Sequence, residues 1–438
     1  MDSADVKWSW EKYEATGYSA SELATVRNPA APIQSISTPD SRTVVFKLAY
    51  PYANVVELLS SSSITLYVMP KDEGFNFKSD MRGSGPYFLE SYRPSAGLTF
   101  TKNKDWYDNP RPYFDRIERP LLTEYASGLA QFKSQNIWTF DVRGEDLLQT
   151  KRDHMDMLML PVKEVSTSLG GYLNFSKRDD TLFKDVRIRR ALAMMLDRDL
   201  LIAVADGTDQ FSSAGLPIRT YWSGHLAPGL PEWLDPNTEA LGEGAKYFQH
   251  NPDEARKLVQ AAGVPMPYAA PFGHYVDQVP ADQPKFQMLL GMFNEGGIFN
   301  VTSDPLLYNT SWRTARQAAG MEHQGLLWHR TGSFSADLML TQMYTPDGRN
   351  SQNAKPHPGV TDLVLKQKSE LDPARRVAMI HEIQKQLSLD WPVIPWAGTA
   401  PGFTLRWPWL ANHGTFVEGS ASARSYAYFW YDEAKKPA

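Results

Sequence analysis

Paired carboxylates are the first residues of this sequence that suggest chemistry, and Glu232 and Asp235 are close together in a proline-rich stretch. Two acids about 5 to 10 Å apart across a cleft, with separated pKa values, would hydrolyse a glycosidic bond. Acidic residues in such loops also cap turns, and this role fits both residues better. The sequence has no Gly-x-Ser-x-Gly elbow, His-Glu-x-x-His helix or phosphate-binding glycine loop with lysine. We therefore do not predict an enzyme.

Metal chemistry would require histidines and acids at compact spacing, but the histidines of this chain are scattered. His323 and His329 are the nearest pair considered, while His250 and His274 stand singly. No protein-built metal site and no cofactor are predicted, although a metal carried inside a chelate is left open. Cysteine is absent, which excludes disulfides, thiolate zinc sites, iron–sulfur clusters and a cysteine nucleophile.

Composition bounds the class of protein. The 438 residues, 42% of them apolar and 12% aromatic, are sufficient for two or three domains. The net charge of -5 provides no basic field for binding nucleic acid, which is not an expected partner. No run of about 18 apolar residues predicts a membrane span. The first residues lack the basic start, apolar stretch and cleavage site of a secretion signal.

The elements of the first 170 residues mix helix and strand. Ser3 is placed to cap a helix over residues 5–13, where apolar residues recur at helical spacing. Residues 42–48 alternate and are β-branched, which predicts a strand. Residues 87–89 and 98–100 flank a turn that contains proline and glycine, and they predict a β-hairpin.

The elements of the remaining chain alternate as in an α/β layer. A strand-like pattern over residues 162–175 changes to a helical apolar stripe over residues 185–197, which predicts the entry to a second unit. Asn251 and the proline after it predict a helix start. The other predictions are helices over 281–295, 311–319, 361–370 and 372–387, a strand over 297–301, a loop over 221–244 and a return crossover over 391–396.

Several segments together resemble the family 5 solute-binding proteins of bacterial ABC importers, which include oligopeptide-, dipeptide- and nickel-binding proteins. The most recognisable segment is Gly83-Ser84-Gly85-Pro86-Tyr87. The others follow the family's order over nearly the whole chain: 5–11, 43–53, 102–107, 112–117, 172–175, 183–192 and 196–198. Each segment also has a local structural interpretation, such as an ion pair between Asp197 and Arg198 that ends a helix. The ordered set indicates the scaffold and not the ligand.

The resemblance implies an α/β, two-lobed fold of the periplasmic-binding-protein type, class II and cluster C, with mixed sheets and a hinge of crossover strands. Residues 1–170 would form lobe I with its small extra subdomain. Residues 171–397 would form lobe II, and residues 398–438 would return to lobe I. Hinge segments are expected near residues 170–175 and 395–398.

The function implied is that of the extracytoplasmic solute-binding component of an ABC importer. Such a protein binds a small solute between its lobes by hinge closure, without chemistry, and delivers it to a membrane permease. The resemblance implies a monomer that is periplasmic, or a cell-surface lipoprotein in its full-length form. Two alternatives are a glycoside hydrolase-like enzyme and a receptor or chaperone module that holds extended peptides.

The resemblance also implies ligand-facing residues, namely Asn174 near the first crossover, and Tyr308, Arg316, Trp328 and Thr331 on the lobe II side. Aromatic rings provide stacking area, and arginine can bind a carboxylate through two hydrogen bonds. The structural alternatives are core packing for Tyr308 and Trp328, and a solvated helix face for Arg316.

One departure from the family concerns the ligand. Peptide-binding members carry an aspartate for the ligand's amino group after the tryptophan that corresponds to Trp328, but residues 329–333 contain no acid. Arg330 in this segment would repel an ammonium group. We therefore expect a ligand other than a conventional free-amino peptide, such as an oligosaccharide, an opine-like or otherwise anionic solute, or a peptide-like solute. The 13 tryptophans favour stacking on a sugar.

A second departure concerns the N-terminus. The family pattern has a sizeable segment ahead of the part that resembles residues 5–11, with the signal, the lipid-anchor cysteine and the first strands of lobe I. Without those first strands, the neighbouring strands of the lobe I sheet would lack pairing partners and expose an edge. We expect an N-terminally shortened form with an incompletely covered lobe I.

Overall fold

The structure of the protein is a computed structural model. It describes residues 1–17, 20–60, 66–71, 74, 76, 83–162, 165–176, 178–278, 282–313, 323–330, 332, 335–345, 348, 358–413 and 423–436. Within these ranges, no helix has both the length and the apolar character needed to cross a membrane.

Helices and strands alternate along most of the chain. The helices are α1 (Ser3–Thr16), α2 (Ala20–Leu23), α3 (Val55–Ser60), α4 (Tyr125–Lys133), α5 (Gly144–Asp153), α6 (Val186–Ala193), α7 (Arg198–Asp206), α8 (Thr208–Ser213), α9 (Pro252–Ala261), α10 (Gln283–Phe293), α11 (Ala336–Tyr344), α12 (Pro358–Ser369), α13 (Pro373–Asp390) and α14 (Ala423–Tyr426). The strands are β1 (Ile33–Ser37), β2 (Val45–Leu48), β3 (Tyr87–Arg93), β4 (Gly97–Lys102), β5 (Arg116–Pro120), β6 (Leu158–Pro161), β7 (Tyr172–Phe175), β8 (Tyr221–Trp222), β9 (Tyr268–Tyr275), β10 (Phe299–Leu306), β11 (Leu326–His329), β12 (Val393–Pro395), β13 (Gly398–Thr399), β14 (Phe403–Arg406), β15 (Leu410–Ala411) and β16 (Trp430–Tyr431).

The N-cap of helix α1 lies one residue earlier than predicted. Asp2 is its N-cap, and the Asp2 carboxylate accepts the backbone N–H groups of Ala4 and Asp5 while the Asp5 side chain accepts the N–H of Asp2. This reciprocal arrangement satisfies more of the free helix-end donors than a single serine cap would. The Ser3 hydroxyl instead donates to the carbonyl oxygen of Asp40 at 2.6 Å.

The predicted hairpin is confirmed as β3 and β4, which pair antiparallel and continue to β5 in a three-stranded sheet. The predicted strand over residues 42–48 is β2, which pairs antiparallel with β1. Further along the chain, β14 pairs antiparallel with β6, so residues beyond 398 pack against the earlier part of the sequence. Buried Trp407 and Trp409 fill the core beside this pair together with Phe132 of α4.

A five-stranded sheet with the order β10-β9-β11-β7-β12 forms the largest core of the described residues. Strands β9, β10 and β11 are parallel, whereas β7 is antiparallel to both of its neighbours, β11 and β12. The predicted strand over residues 162–175 is wrong for most of its length. Before β7 the chain bends, where the Ser166 hydroxyl accepts the N–H of Ser168 at 3.1 Å and stabilises a turn.

The helix predicted over residues 185–197 is shorter than predicted, and a second helix begins after it. Helix α6 ends at Ala193, and Asp197 caps α7 by accepting the N–H of Leu200 at 3.0 Å. The interpretation of Asp197 and Arg198 as a local ion pair is therefore wrong. The Arg198 side chain is buried, and its Nη1 donates to the carbonyl oxygen of Phe248.

The helix starts predicted from N-caps and proline are confirmed. The Asn251 side chain accepts the N–H of Glu254 at 3.0 Å at the start of α9. The Asp372 side chain accepts the N–H of Arg375 at 2.9 Å at the start of α13. Both helices have proline in the first turn, where the missing N–H is not required. Helix α13 ends at Trp391 in a left-handed conformation, and β12 follows.

Candidate functional site

Strands of the five-stranded sheet meet at one edge. The four strands β9, β10, β11 and β12 end there at Tyr275, Leu306, His329 and Pro395, and β7 begins there at Tyr172. In α/β proteins, ligands bind in the crevice outside the carboxyl ends of the strands. We call the region around these five residues the carboxyl edge, and it is the candidate site.

A column of aromatic rings lies at the carboxyl edge. Tyr308 stacks on Trp312 with ring centroids 5.0 Å apart, and Trp312 stacks on His329 at 5.5 Å. Tyr275 meets Tyr308 and Trp312 edge-on, while Tyr172 meets His329 in the same way. Tyr308 is half-buried and is the accessible end of the column. Residues Tyr308–Trp312 form a π-helical turn, a feature frequent at functional sites.

A pair of tryptophans from two strand ends lies next to this column. Trp328 of β11 is buried, and it packs edge-on against Phe286 at 5.4 Å and against Trp396 at 5.8 Å. The alternative of core packing therefore describes Trp328. Trp396, which follows β12 and is half-buried, is a residue of the candidate site that sequence reasoning missed. The sequence signal that could have identified Trp396 was its position in the return crossover predicted over residues 391–396.

Gly171 allows this packing because it has no side chain. A Cβ atom at Gly171 would lie 2.3 Å from the Trp328 ring and 2.9 Å from the carbonyl oxygen of His329. The backbone N–H of Trp396 donates to the carbonyl oxygen of Gly171 at 2.9 Å. The crossover before β7 and the crossover after β12 therefore run side by side beneath the two tryptophans.

Charged side chains complete the carboxyl edge. Asp282, just before α10, has a carboxylate oxygen 3.4 Å from Nζ of Lys285 and another 3.9 Å from Nε of Arg330. An acid is therefore present beside Arg330, although residues 329–333 contain none. A local comparison did not find it because Asp282 comes from a different element, the start of the helix predicted over residues 281–295.

Asn174 lies deeper in the sheet than expected for a ligand-facing residue. It is the third residue of β7, opposite Leu327 on one side and Val393 on the other. Its side chain is fully buried, and Nδ2 donates to the carbonyl oxygen of Leu327 at 3.4 Å. The structure therefore places Asn174 away from the carboxyl edge.

Two of the predicted site residues, Arg316 and Thr331, lie outside the described residues. The same holds for most of the helix predicted over residues 311–319. Of the five predicted positions, Tyr308 and Trp328 are brought together at the carboxyl edge.

The carboxylates considered for glycoside hydrolysis have structural partners. Asp235 accepts the N–H of Asn237 at 2.9 Å and so caps a turn, as the alternative interpretation predicted. One Glu232 carboxylate oxygen lies 3.8 Å from the guanidinium of Arg376 on α13. Neither contact involves the carboxyl edge, and the two contacts give the acids no shared reacting position.

The histidines also have individual partners. His323 Nε2 lies 3.1 Å from a carboxylate oxygen of Asp304, and His250 Nε2 lies 3.2 Å from one of Glu295. The part of the chain that the structure describes contains no group of three or more residues placed to hold a metal ion.

Comparison with known families decides the scaffold. The family described as bacterial extracellular solute-binding proteins, family 5 Middle, matches residues 1–351. The chain belongs to this family. Its members are binding proteins and not enzymes, as the resemblance implied.

Similar curated proteins are ABC transporter-binding proteins. A putative peptide-binding protein of Brucella ovis is 24% identical over 241 residues, which cover 53% of this chain and 41% of that protein. The oligopeptide-binding protein AppA of Bacillus subtilis is 24% identical over 244 residues, which cover 53% of this chain and 40% of that protein. The matches therefore span less than half of the length of these relatives.

Solved structures confirm the two-lobed α/β fold class. The putative peptide-binding protein AppA of Clostridium difficile matches with a TM-score of 0.75 at 15% identity, over 99% of this chain and 85% of that chain. DppA of Helicobacter pylori, in complex with the peptide STSA, matches with a TM-score of 0.72 at 16% identity. This match covers 98% of this chain and 81% of that chain. AgaA of A.tumefacien R10, in complex with agropinic acid, matches with a TM-score of 0.73 at 18% identity. This match covers 98% of this chain and 83% of that chain.

Proposed function

We propose that this protein is the extracytoplasmic solute-binding component of an ABC importer, which binds a small solute at the carboxyl edge by closure of two lobes. The observation that carries the proposal is the convergence of accessible aromatic and charged side chains from separate elements at that edge, namely Tyr308, Lys285, Arg330 and Trp396. Binding requires only stacking area and fixed charges, whereas catalysis would require an aligned reacting group.

The contact between the two crossovers supports a hinge there. Gly170 has a left-handed φ of +70°, a conformation that side chains disfavour, and Gly171 beside it pairs with Trp396. Two adjacent crossover segments can bend together while the packed units on either side stay rigid. We retain residues 1–170 and 398–438 as lobe I, and residues 171–397 as lobe II.

The ligand class follows from the charges at the carboxyl edge. Arg330 and Lys285 disfavour the ammonium group of a conventional peptide, so the proposed ligand is an opine-like or otherwise anionic solute, a saccharide or a modified peptide. Delivery to a membrane permease, a monomeric state and a periplasmic or lipoprotein location belong to the same proposal.

A thermal-shift screen tests this function, because a solute that binds only the folded state raises the melting temperature. The panel contains opines, sugars, di- and tripeptides and metal chelates. We expect a shift with an anionic solute or a sugar, recovered unchanged after incubation. Conversion of that solute to a product would refute a binding function, and tight binding of free-amino peptides would refute the ligand class.

A pair of matched variants locates the site. Trp396→Leu is expected to weaken binding of the stabilising solute about tenfold, because aromatic anchors in an interface carry much of the binding energy. Trp233→Leu, which replaces another half-buried tryptophan outside the carboxyl edge, is expected to leave affinity unchanged. Equal losses in both variants would place the site elsewhere.

A further inference from the structure

We infer that Lys285 and Arg330 form a subsite for a carboxylate group of the solute, held in place by Asp282 and bordered by the ring of Trp396. The inference rests on the proposed function and makes its ligand class specific. Lys285 lies on α10, Asp282 immediately precedes this helix, and Arg330 immediately follows β11.

Burial divides the three charged residues into a support and two binding groups. The Asp282 side chain is 7% exposed, whereas those of Lys285 and Arg330 are 33% and 52% exposed. An acid in the interior therefore holds two cations whose ends remain accessible. A buried carboxylate is retained when it is paired, and Asp282 has both partners within 4 Å.

Within the part of the chain that the structure describes, most donors of Arg330 make no hydrogen bond. Asp282 approaches the guanidinium at Nε with a separation of 3.9 Å, which is an ion pair without a short hydrogen bond. A guanidinium has five N–H donors in a planar fork that matches a carboxylate. The two terminal nitrogens are therefore available to an incoming carboxylate.

Among the three charged residues of the subsite, the positive charges outnumber the negative one. Asp282 provides one negative charge against the two positive charges of Lys285 and Arg330. Burial raises the pKa of a further acid, Asp206 at the end of α7, and the nearby charge of Lys285 opposes this shift. An Asp206 carboxylate oxygen accepts the backbone N–H of Ala400 at 2.6 Å, in the return crossover.

Trp396 defines the part of the solute next to the carboxylate. Nζ of Lys285 lies 5.5 Å from the centroid of the Trp396 ring, and this ring is half-buried. A carboxylate bound to Lys285 would place the adjoining carbon chain or sugar ring against this indole. The subsite thus fits an organic acid with a flat or apolar body and no ammonium group beside its carboxylate.

Matched probes test the subsite by titration calorimetry with the full chain. The probes are agropinic acid, N-acetyl-Ala-Ala, its neutral C-terminal amide, and free Ala-Ala. We expect wild type to bind an ammonium-free carboxylate at least about tenfold more tightly than the amide. Lys285→Gln and Arg330→Gln should each weaken binding of that carboxylate about tenfold, the usual effect of losing a charged hydrogen bond, and leave binding of the amide unchanged.

Controls separate the possible failures. Arg330→Lys should restore part of the affinity, and Lys257→Gln, which removes an exposed lysine of α9, should change nothing. Preference of wild type for the amide or for Ala-Ala, or equal weakening of all probes by the variants, would overturn the subsite while leaving a binding protein. Failure of wild type to bind any probe, together with no response in the thermal-shift screen, would remove the proposed function and the subsite with it.

Discussion

Two clusters in this protein combine cations with aromatic rings, and they differ in almost every physical respect. Around Arg198, the guanidinium lies 5.0 Å from the ring centroid of Phe248 and 5.8 Å from those of Trp222 and Trp391. The side chain is 1% exposed, and no carboxylate of the described residues pairs with it. At the carboxyl edge, Lys285 and Arg330 are paired with an acid and reach solvent.

The comparison shows that burial, and not residue type, decides what such a cluster does. Nη1 of Arg198 donates to the carbonyl oxygens of Ala193 and Phe248, and its stem packs, so the side chain joins α7 to the segment that ends in Phe248. Nε and Nη2 are buried without a hydrogen-bond partner among the described residues. Its burial lowers its pKa to about 9. The cations of the carboxyl edge have exposed donors that make no hydrogen bond within the described ranges and can engage a ligand or water. We therefore assign stability to the first cluster and binding to the second.

The largest expected effect is at Arg198. Arg198→Ala should reduce the free energy of unfolding by about 3 kcal/mol, because it removes a packed stem and leaves a cavity. Arg198→Met, which keeps the stem, should lose less than half as much, since an uncompensated buried charge is itself costly. Urea denaturation at neutral pH measures both.

The control for this experiment is Arg219→Ala, which removes an exposed guanidinium 4.6 Å from the ring of Tyr221. It should change the free energy of unfolding by about 0.5 kcal/mol. A loss at Arg219 as large as that at Arg198 would contradict the role given to burial.

The next effect concerns the carboxyl edge. Gly171→Ala should cost about 2 kcal/mol and weaken solute binding, because the new Cβ would force Trp328 away from the crossover. Gly291→Ala on α10, where a Cβ meets nothing within 4 Å, should instead stabilise the protein by about 0.5 to 1 kcal/mol. Unchanged affinity in Gly171→Ala would separate Trp328 from the site.

A pH effect distinguishes the Arg198 cluster. Burial and the charge of Arg198 lower the pKa of the neighbouring His225 to about 3, from an ordinary value of 6.5. The unfolded chain therefore takes up a proton first, and stability is full above about pH 6.5 and declines as the pH falls toward about 3. Well below pH 6.5, we expect a loss of about 1.4 kcal/mol per pH unit that is absent in His225→Gln. Parallel stability profiles of the two proteins would show that His225 does not titrate in this way.

The smallest expected effect is the stability change of the binding cations. Lys285→Gln and Arg330→Gln should each shift the free energy of unfolding by no more than about 0.5 kcal/mol, because both cations are partly exposed and the buried Asp282 keeps the other cation in each variant. Denaturant titration checks this in the same variants that are used for binding. A loss comparable to that of Arg198→Ala would make the two clusters alike and remove the distinction.

Turns and helix starts could be predicted from the sequence where residues close together in the chain determine them. The hairpin of β3 and β4 and the caps at Asn251 and Asp372 appear where the sequence indicates. The helix predicted over residues 185–197 ends at Ala193, and Asp197 starts the next helix instead of ending this one. Capping residues mark a boundary without showing which side is helical unless their hydrogen bonds are known.

The candidate site was predictable only in part. Tyr308 and Trp328 were identified through the family resemblance, whereas Asp282, Lys285 and Trp396 were not. Asn174 was expected to face the ligand, but its neighbours in the sheet bury it. The N-terminally shortened form and the roles of Arg316 and Thr331 stay predictions.

The sequence by itself determined the α/β alternation, the main helix starts and the family, because each depends on residues close together or on motifs in a fixed order. The tertiary structure decided which strand ends meet, which acid holds Arg330 and which arginine is buried. These properties arise from contacts between segments far apart in the chain. Burial then sets whether a charge stabilises the fold or remains available to a solute.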